Sequence, residues 1–448
     1  MKRNWFDVKV LILGFSGSGI AAAKYLAQKG ADCFITETKD TADKNKDKIE
    51  ELKKLGIKME FGAHSDEFLN DTNLAITSPG IPPHSEIFQR LREKNIPVIS
   101  EIELAYRETG APFIAITGTN GKTTTTLLTS FILEKELKAP VCGNIGIPPC
   151  SILDKSNNYY VCEVSSFQAE FSKGFRPQIA VWMNFTPDHI DWHNGLENYF
   201  NAKASLFSSS KFPAFAIFNA LDEKVLEFGE KYNGEKFFFG KEFEKNCCYI
   251  KNNAIYFKRK TEEKIIDIDN IPLVGEHNYQ NVMASIISAK IVGIDNQNII
   301  DAIKEFKAPE HRCEFVTEIN GQKAYNDSKA TNPEAAIFAL TSFEGKTVSL
   351  IAGGRDKNTD LTEFCETIKK CVNNVILIGE AKDRFDKELR KNKYEKIIYA
   401  DTFQESIDKA FKTGDEIILL SPACASFDMF NSYEERGKAF KDYVKSKK

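Results

Sequence analysis

Residues 113–126 read FIAITGTNGKTTTT, and the rest of the chain is organised around them. The run predicts a buried strand over 113–117, a tight glycine-rich turn over 118–121, then Lys122 and a helix reaching about residue 135. Backbone N–H groups of such a turn, with the positive dipole end of the helix that follows, make an anion site. Lys122 can reach β- and γ-phosphates, and the Thr123 hydroxyl can hold Mg²⁺. Ile116 stands where the G-x-x-x-x-G-K-[ST] pattern has its first glycine. An ordinary strand–turn–helix does not require two glycines, a lysine and four threonines in this order. The stretch reads as an ATP-phosphate site.

Residues 112–310 form an α/β unit around that loop. A strand over 159–164 delivers Glu163 at its C-terminal end, and another over 179–185 runs into TPDHIDWH. Ligands of open α/β sheets gather outside the carboxyl ends of the strands, so Glu163 and His189 fall on the rim of Lys122 and Thr123. Glu163 suits Mg²⁺ because hard cations take oxygen donors. Asp188, Asp191 and His193 make the same loop densely polar, as a merely solvated loop would also be. A helix over 196–206 carries Lys203 one turn after Tyr199, where a surface lysine is the default. Residues 248–257 alternate around Asn252-Asn253, as an antiparallel hairpin does. A helix over 275–292 places Asn278 and Asn281 on one face.

Residues 1–110 alternate strands (8–13, 33–36, 74–77) with helices (20–29, 43–55), which implies βαβ units and a parallel sheet. The turn GFSGSG, residues 14–19, imitates a dinucleotide fingerprint, but Ser16 replaces the glycine that lets a pyrophosphate approach. Glu37 ends the next strand, placed to contact a ribose or a base. A nucleotide-bearing ligand fits here better than NAD; a turn needed only for helix–strand packing is the alternative. Residues 311–448 open on His311-Arg312 and a hairpin at Asn320-Gly321. NDSKATNP, strands near 348–352, 375–378, 396–399 and 416–420, and the tail SPACASFDMFNSYEERG follow. This is a third α/β domain.

At 448 residues the chain suits two to four domains. A net charge of −4 argues against a nucleic-acid partner. Apolar runs stay well short of the roughly 18 residues of a membrane span. Lys2, Arg3, Asp7 and Lys9 precede only a short apolar strand, so no signal peptide and a cytoplasmic location are expected. The ten cysteines lack a C-x-x-C pair and read as reduced and mostly buried; Cys247, Cys248 and Cys424 are possible reactive thiols without an evident activating neighbour.

TGTNGKTTT, EVSSFQ, the HxDWH stretch followed by a lysine, GxHNxxN and HR resemble the Mur ligases of cell-wall synthesis, over essentially the whole chain. Within that family GFSGSG, SPGIP, NDSKATNP and the tail resemble the branch that adds D-glutamate, the tail being the most specific. The resemblance implies three α/β domains. Residues 1–110 would form a Rossmann-like UDP-substrate domain, 111–309 a central phosphate-loop ATPase-type domain, and 310–448 a Rossmann-like domain for the incoming amino acid. It implies that ATP phosphorylates the carboxylate of UDP-N-acetylmuramoyl-L-alanine and that the amine of D-glutamate attacks the acyl phosphate. A carboxylate acylates poorly until its oxygen becomes a phosphate leaving group, and phosphoryl transfer asks mainly for positioning and charge neutralisation.

The resemblance also assigns residues. Gly118, Thr119, Asn120, Gly121, Lys122, Thr123 and Thr124 would cradle the ATP phosphates, with Thr123 and Glu163 on Mg²⁺. His189 would hold a second ion near the substrate, and Lys203 matches a carbamylated lysine. Asn278, Asn281, Arg312 and Asp327 match ATP contacts. Phe15, Ser16, Thr38, Lys39 and Gly80 match the UDP site, with Asn144 further along. Lys329, Thr331, Lys357, Ser426, Phe427 and Tyr433 match the region of the acyl phosphate and D-glutamate. Glu37, Lys39 and Tyr433 stand where Asp, Arg and Phe are common in the family. A monomer without nucleic-acid partners is expected, with the C-terminal domain closing about a hinge at residues 307–309. Rival readings are a folylpolyglutamate synthase, another ligase of the same pathway, an NAD-dependent dehydrogenase and a non-catalytic nucleotide-binding regulator.

Overall fold

The structure is a computed structural model describing residues 4–40, 42–208, 213–273, 275–307, 309–356 and 358–447. Lys357, and Ala308 within the expected hinge, therefore lie outside the described residues. Three sheets form among the described residues.

The first sheet has five parallel strands in the order Lys58–Phe61, Asp32–Glu37, Lys9–Leu13, Leu74–Thr77, Val98–Ser100. Val10 to Leu13 and Leu74 to Thr77 are buried on both faces, which is why they read as continuous apolar runs. The chain leaves Lys9–Leu13 in one direction across the sheet and returns on its other side, so the ends of the two central strands meet at a topological switch point. The helix after the glycine-rich turn is Gly17–Gln28, three residues earlier than expected. Ser16 caps it, accepting from the Gly19 N–H at 3.3 Å. The helix expected over 43–55 is a 3₁₀ turn, Ala42–Asn45, followed by the α-helix Lys46–Lys54.

The second sheet has nine strands. From one edge they run Val141–Gly143, Tyr160–Glu163, Phe113–Thr117, Ile179–Trp182, Phe215–Asn219, Glu235–Phe239 and Cys247–Lys251 in parallel, then Ala254–Lys258 and Glu262–Asp267 antiparallel. Phe113–Thr117 is buried at every residue. The hairpin across Asn252-Asn253 forms as expected, both residues taking left-handed backbone (φ 49° and 57°). The third sheet places Glu314–Ile319 antiparallel to Gln322–Asn326 across Asn320-Gly321. Ile417–Leu420, Val348–Gly353, Asn374–Ile378 and Ile397–Tyr399 continue it in parallel.

The chain divides into two compact units. Met1–Asn270 with Gln280–Glu305 holds the first two sheets, and Ile271–Tyr279 with Phe306–Lys448 holds the third. Aromatic stacking of Phe88 on Phe171 (4.8 Å between centroids) and a bond from Ser100 N–H to the Phe171 carbonyl (2.7 Å) join the two sheets of the first unit. The helix Glu276–Val292 crosses the division, Asn278 falling in one unit and Asn281 in the other. Among the described residues, no helix is long and apolar enough to cross a membrane.

Candidate functional site

The turn after Phe113–Thr117 is built by backbone geometry that glycine permits. Gly121 caps the helix Lys122–Leu133 in left-handed conformation (φ 79°), and a Cβ there would lie 2.5 Å from Asn281 Oδ1. The loop is held from outside by Asn184, whose Oδ1 accepts from the N–H groups of Thr119 (3.0 Å) and Asn120 (2.8 Å). Its Nδ2 donates back to the Asn120 carbonyl at 3.1 Å. Asn184 lies 64 residues from Asn120, and no local pattern marks it.

Two lysines converge on the mouth of this loop. Lys122 Nζ donates to the carbonyls of Gly118 (3.0 Å) and Thr119 (2.7 Å). Lys203 Nζ donates to the same Gly118 carbonyl at 2.7 Å. Lys203 is not the surface lysine its helix suggested, since only 1% of it is exposed. Leu196–Ala204 turns that face inward, and the ammonium sits 4.5 Å from the Tyr199 ring centre. Burial, reinforced by the charge of Lys122, pushes its pKa well below the usual lysine range. The Tyr199 hydroxyl shares a hydrogen bond with Thr119 Oγ1 at 3.0 Å.

On the rim, Thr123 Oγ1 donates to Glu163 Oε2 at 2.7 Å, and Asn144 Nδ2 donates to Glu163 Oε1 at 2.8 Å. A hydroxyl and a carboxylate side by side are hard oxygen donors of the kind Mg²⁺ takes. Among the described residues no group of three or more His, Cys, Asp or Glu is placed to hold a metal ion. His189 has left-handed backbone (φ 53°), its ring packs on Phe167, and its Nε2 is 3.3 Å from Asp188 Oδ2. His193 is buried against Ser166 Oγ (2.9 Å), and burial followed by the charges of Lys203 and His189 takes its pKa down to about 4. It is a neutral packing residue. Thr124 is buried in the loop helix, and Asn281 Oδ1 accepts from Thr125 Oγ1 at 3.1 Å.

At the switch point of the first sheet lies a cavity of about 760 Å³, lined by Phe15, Ser16, Thr38, Lys39 and Gly80. All five were expected. Glu37 also lines it, but its carboxylate is engaged with backbone: Oε2 accepts from Phe15 N–H and Oε1 from Lys39 N–H, each at 3.0 Å. Burial would raise its pKa, yet these bonds hold it below the usual carboxylate range. Glu37 thus braces the turn from the cavity wall. Ser16 Oγ and Ser78 Oγ lie 2.7 Å apart, joining GFSGSG to SPGIP. Arg90 and His64, which sequence did not single out, also line the cavity; Arg90 Nη2 is paired with Asp66 Oδ1 at 2.9 Å.

The second unit gathers the remaining candidates. Asn278 opens its helix with an N–H bond to the Gly275 carbonyl (2.9 Å). Arg312 follows the buried His311, whose carbonyl accepts from Lys329 N–H at 3.1 Å. Asp327 is fully enclosed, accepting from Ser421 Oγ (2.7 Å) and Cys313 N–H (3.2 Å), and burial lifts its pKa to about 7. Lys329 Nζ stands 5.2 Å from the Tyr433 ring centre, with Thr331 in the same turn. Ser426 is buried, whereas Phe427 is 65% exposed. The Cys424 thiol is buried and pushed up to about 12, and burial raises Cys247 and Cys248 as well, so none of the three is activated.

Three parallel-dominated sheets with glycine-rich turns at strand ends define an α/β protein of the multidomain nucleotide-handling class. Family models match the MurD-like N-terminal domain of Mur ligases over residues 8–100, the Mur ligase middle domain over 116–289, and the Mur ligase glutamate ligase domain over 311–424. The chain belongs to the Mur ligase family. It is 41% identical to UDP-N-acetylmuramoylalanine–D-glutamate ligase of Thermoanaerobacter pseudethanolicus, over 97% of this chain and 98% of that one. It is 39% identical to the enzyme of the same name from Bacillus thuringiensis strain Al Hakam, over 96% of each. Among solved structures, the UDP-N-acetylmuramate–alanine ligase of Thermotoga maritima shares the fold (TM-score 0.61, 20% identity, 98% of this chain and 100% of that one). So does the MurF ligase of Thermotoga maritima in complex with ADP (TM-score 0.60, 16% identity, 100% of both).

Proposed function

We infer that this chain is an ATP-dependent ligase that joins D-glutamate to the alanyl carboxylate of UDP-N-acetylmuramoyl-L-alanine in peptidoglycan synthesis. The observation that carries this reading is full-length likeness, at 41% identity, to ligases named for that reaction. The geometry agrees with it. The Gly118–Thr124 loop would receive the ATP phosphates, with Lys122 turning from the Gly118 and Thr119 carbonyls to the transferred group. Thr123 and Glu163 would hold Mg²⁺, which supplies charge neutralisation when bound. Asn144, bonded to the other Glu163 oxygen, would orient that carboxylate and contact substrate.

The cavity of the first sheet would take the UDP moiety, its turn braced by Glu37 and Ser78. The UDP-substrate, ATP and amino-acid regions are assigned as residues 1–110, 111–309 and 310–448. The substrate carboxylate attacks the γ-phosphorus and ADP departs. The D-glutamate amine then attacks the acyl carbon; the tetrahedral adduct loses phosphate and a proton to give the amide. Burial lowers the pKa of Lys203, which favours the unprotonated amine; that amine would add to CO₂ with loss of a proton, and the carbamate would bring an oxygen donor to the same rim as His189. Lys329, Thr331, Ser426, Phe427 and Tyr433, with Lys357, are assigned to the amino-acid and acyl-phosphate region. No membrane or nucleic-acid partner is needed, and a monomer working in the cytoplasm suffices.

Phosphate release from ATP, with UDP-N-acetylmuramoyl-L-alanine and Mg²⁺ present, tests the reading across D-glutamate, L-glutamate, L-alanine and meso-diaminopimelate. Turnover with D-glutamate alone is expected. Turnover with another amino acid moves the specificity, and none with any of them removes the ligase.

A further inference from the structure

Three separate turns of the second unit meet on one buried guanidinium. Arg436 lies in the final helix, Tyr433–Ser446, and is 1% exposed. Its Nε donates to Ser328 Oγ at 2.9 Å, and its Nη2 donates to the carbonyls of Ser328 (2.8 Å) and Cys424 (3.1 Å). Ser328 Oγ passes the contact on, donating to the Tyr433 carbonyl at 2.8 Å. A Cβ on Gly354 would lie 3.3 Å from Nη1, so Gly354 also packs against this group. Nη1 itself is buried with no hydrogen-bond partner among the described residues. An arginine carried inside at this cost, with both N–H groups of one nitrogen unspent, is an expensive way merely to fill space.

The residues on either side of these contacts make the arrangement functional. Ser328 precedes Lys329, Cys424 lies two residues before Ser426, and Gly354 opens the segment leading to Lys357. A planar guanidinium holds its donors apart in a fixed fork, which spans the Ser328 and Cys424 turns at once; a lysine must gather its acceptors around a single nitrogen. We propose that Arg436 is the positioning residue of the amino-acid site, locking the turn that carries Lys329 to the turn that carries Ser426 and so fixing the seat of the incoming amino acid. This rests on the ligase reading above. Displacing such a seat by a fraction of an ångström weakens capture of the amino acid more than it weakens either nucleotide site.

The test is steady-state kinetics of Arg436→Lys and Ser328→Ala in the full chain beside the unaltered protein, with each of the three substrates varied in turn and thermal midpoints recorded. For Arg436→Lys, KM for D-glutamate rises about tenfold or more, while KM for ATP and for the nucleotide sugar stay within about twofold. Ser328→Ala shows the same split at about threefold. A folded Arg436→Lys whose D-glutamate KM is unchanged overturns the proposal, and so does an equal worsening of all three constants. If Arg436→Lys does not fold, Ser328→Ala decides alone, an unchanged D-glutamate KM being the contrary result. If the unaltered protein turns over with a different amino acid, the specificity reading fails separately, and the same split is then read with that amino acid.

Discussion

Two glycine-rich turns of this chain share a topology and differ in what surrounds them. Gly14–Gly19 and Gly118–Gly121 each leave a buried parallel strand and open a helix. The first turn is braced by its own acid: Glu37 accepts from Phe15 N–H, and Ser16 leans on Ser78. The second faces two lysine amines on one carbonyl and a hydroxyl–carboxylate pair at the helix start. The first turn has its Phe15 N–H engaged by its own acid, whereas the cations and the Mg²⁺-compatible rim at the second suit a triphosphate and its transfer. Spacing of glycines makes a turn, and the charges brought to it choose the ligand.

The sharpest way to break the contrast is Lys122→Met. The rate of phosphate release should fall about 10²–10³-fold, with the affinity for UDP measured by calorimetry within about twofold. An equal loss of both would show that the two turns are not independent. Lys203→Met should cost about 10²-fold in kcat, and added acetate or formate should recover part of the loss in Lys203→Ala if a carbamate is the working form.

Lys203 also carries a pH signature. Its folded-state pKa lies below the usual 10.5, so the unfolded chain binds the extra proton between the two values. Stability from this group therefore rises with pH across that window. Denaturant titrations of Lys203→Met should show a flatter rise toward alkaline pH than the unaltered protein. Gly118 O would keep the Lys122 bond in that variant.

Smaller effects belong to the first turn. Glu37→Gln should raise KM for the nucleotide sugar about tenfold by loosening Phe15 and Lys39, and leave KM for ATP unchanged. Ser78→Ala, which removes one neutral hydroxyl contact, should raise the same constant about threefold. Steady-state kinetics with each nucleotide varied reads both, and a shift in the ATP constant instead would reverse the assignment of the two turns.

What the sequence revealed follows the range of the interactions. The Phe113–Thr117 strand, the loop and the Asn320-Gly321 hairpin are written in adjacent residues, through burial, glycine conformations and turn chemistry. The five cavity residues of the first sheet were named through the family resemblance, and the strand ends of a parallel sheet bring them to one rim. Lys203 looked like a surface lysine because its helix mixes polar and apolar residues on every side; only the approach of Gly118, 85 residues away, explains its burial. Asn184 and Arg436 escaped notice for the same reason, since each acts on turns distant in sequence. Glu37 was legible in place, but its bracing of the turn was not, because it rests on backbone N–H groups that no sequence pattern records.

The most direct measurement is the mass of the nucleotide product, with phosphate counted in the same reaction, after incubation with ATP, Mg²⁺, UDP-N-acetylmuramoyl-L-alanine and D-glutamate. One phosphate released for each nucleotide heavier by a single glutamyl residue is expected, with no such product from L-glutamate. ATP turnover without an amide-linked product would contradict the ligase and leave a nucleotide-binding hydrolase in its place.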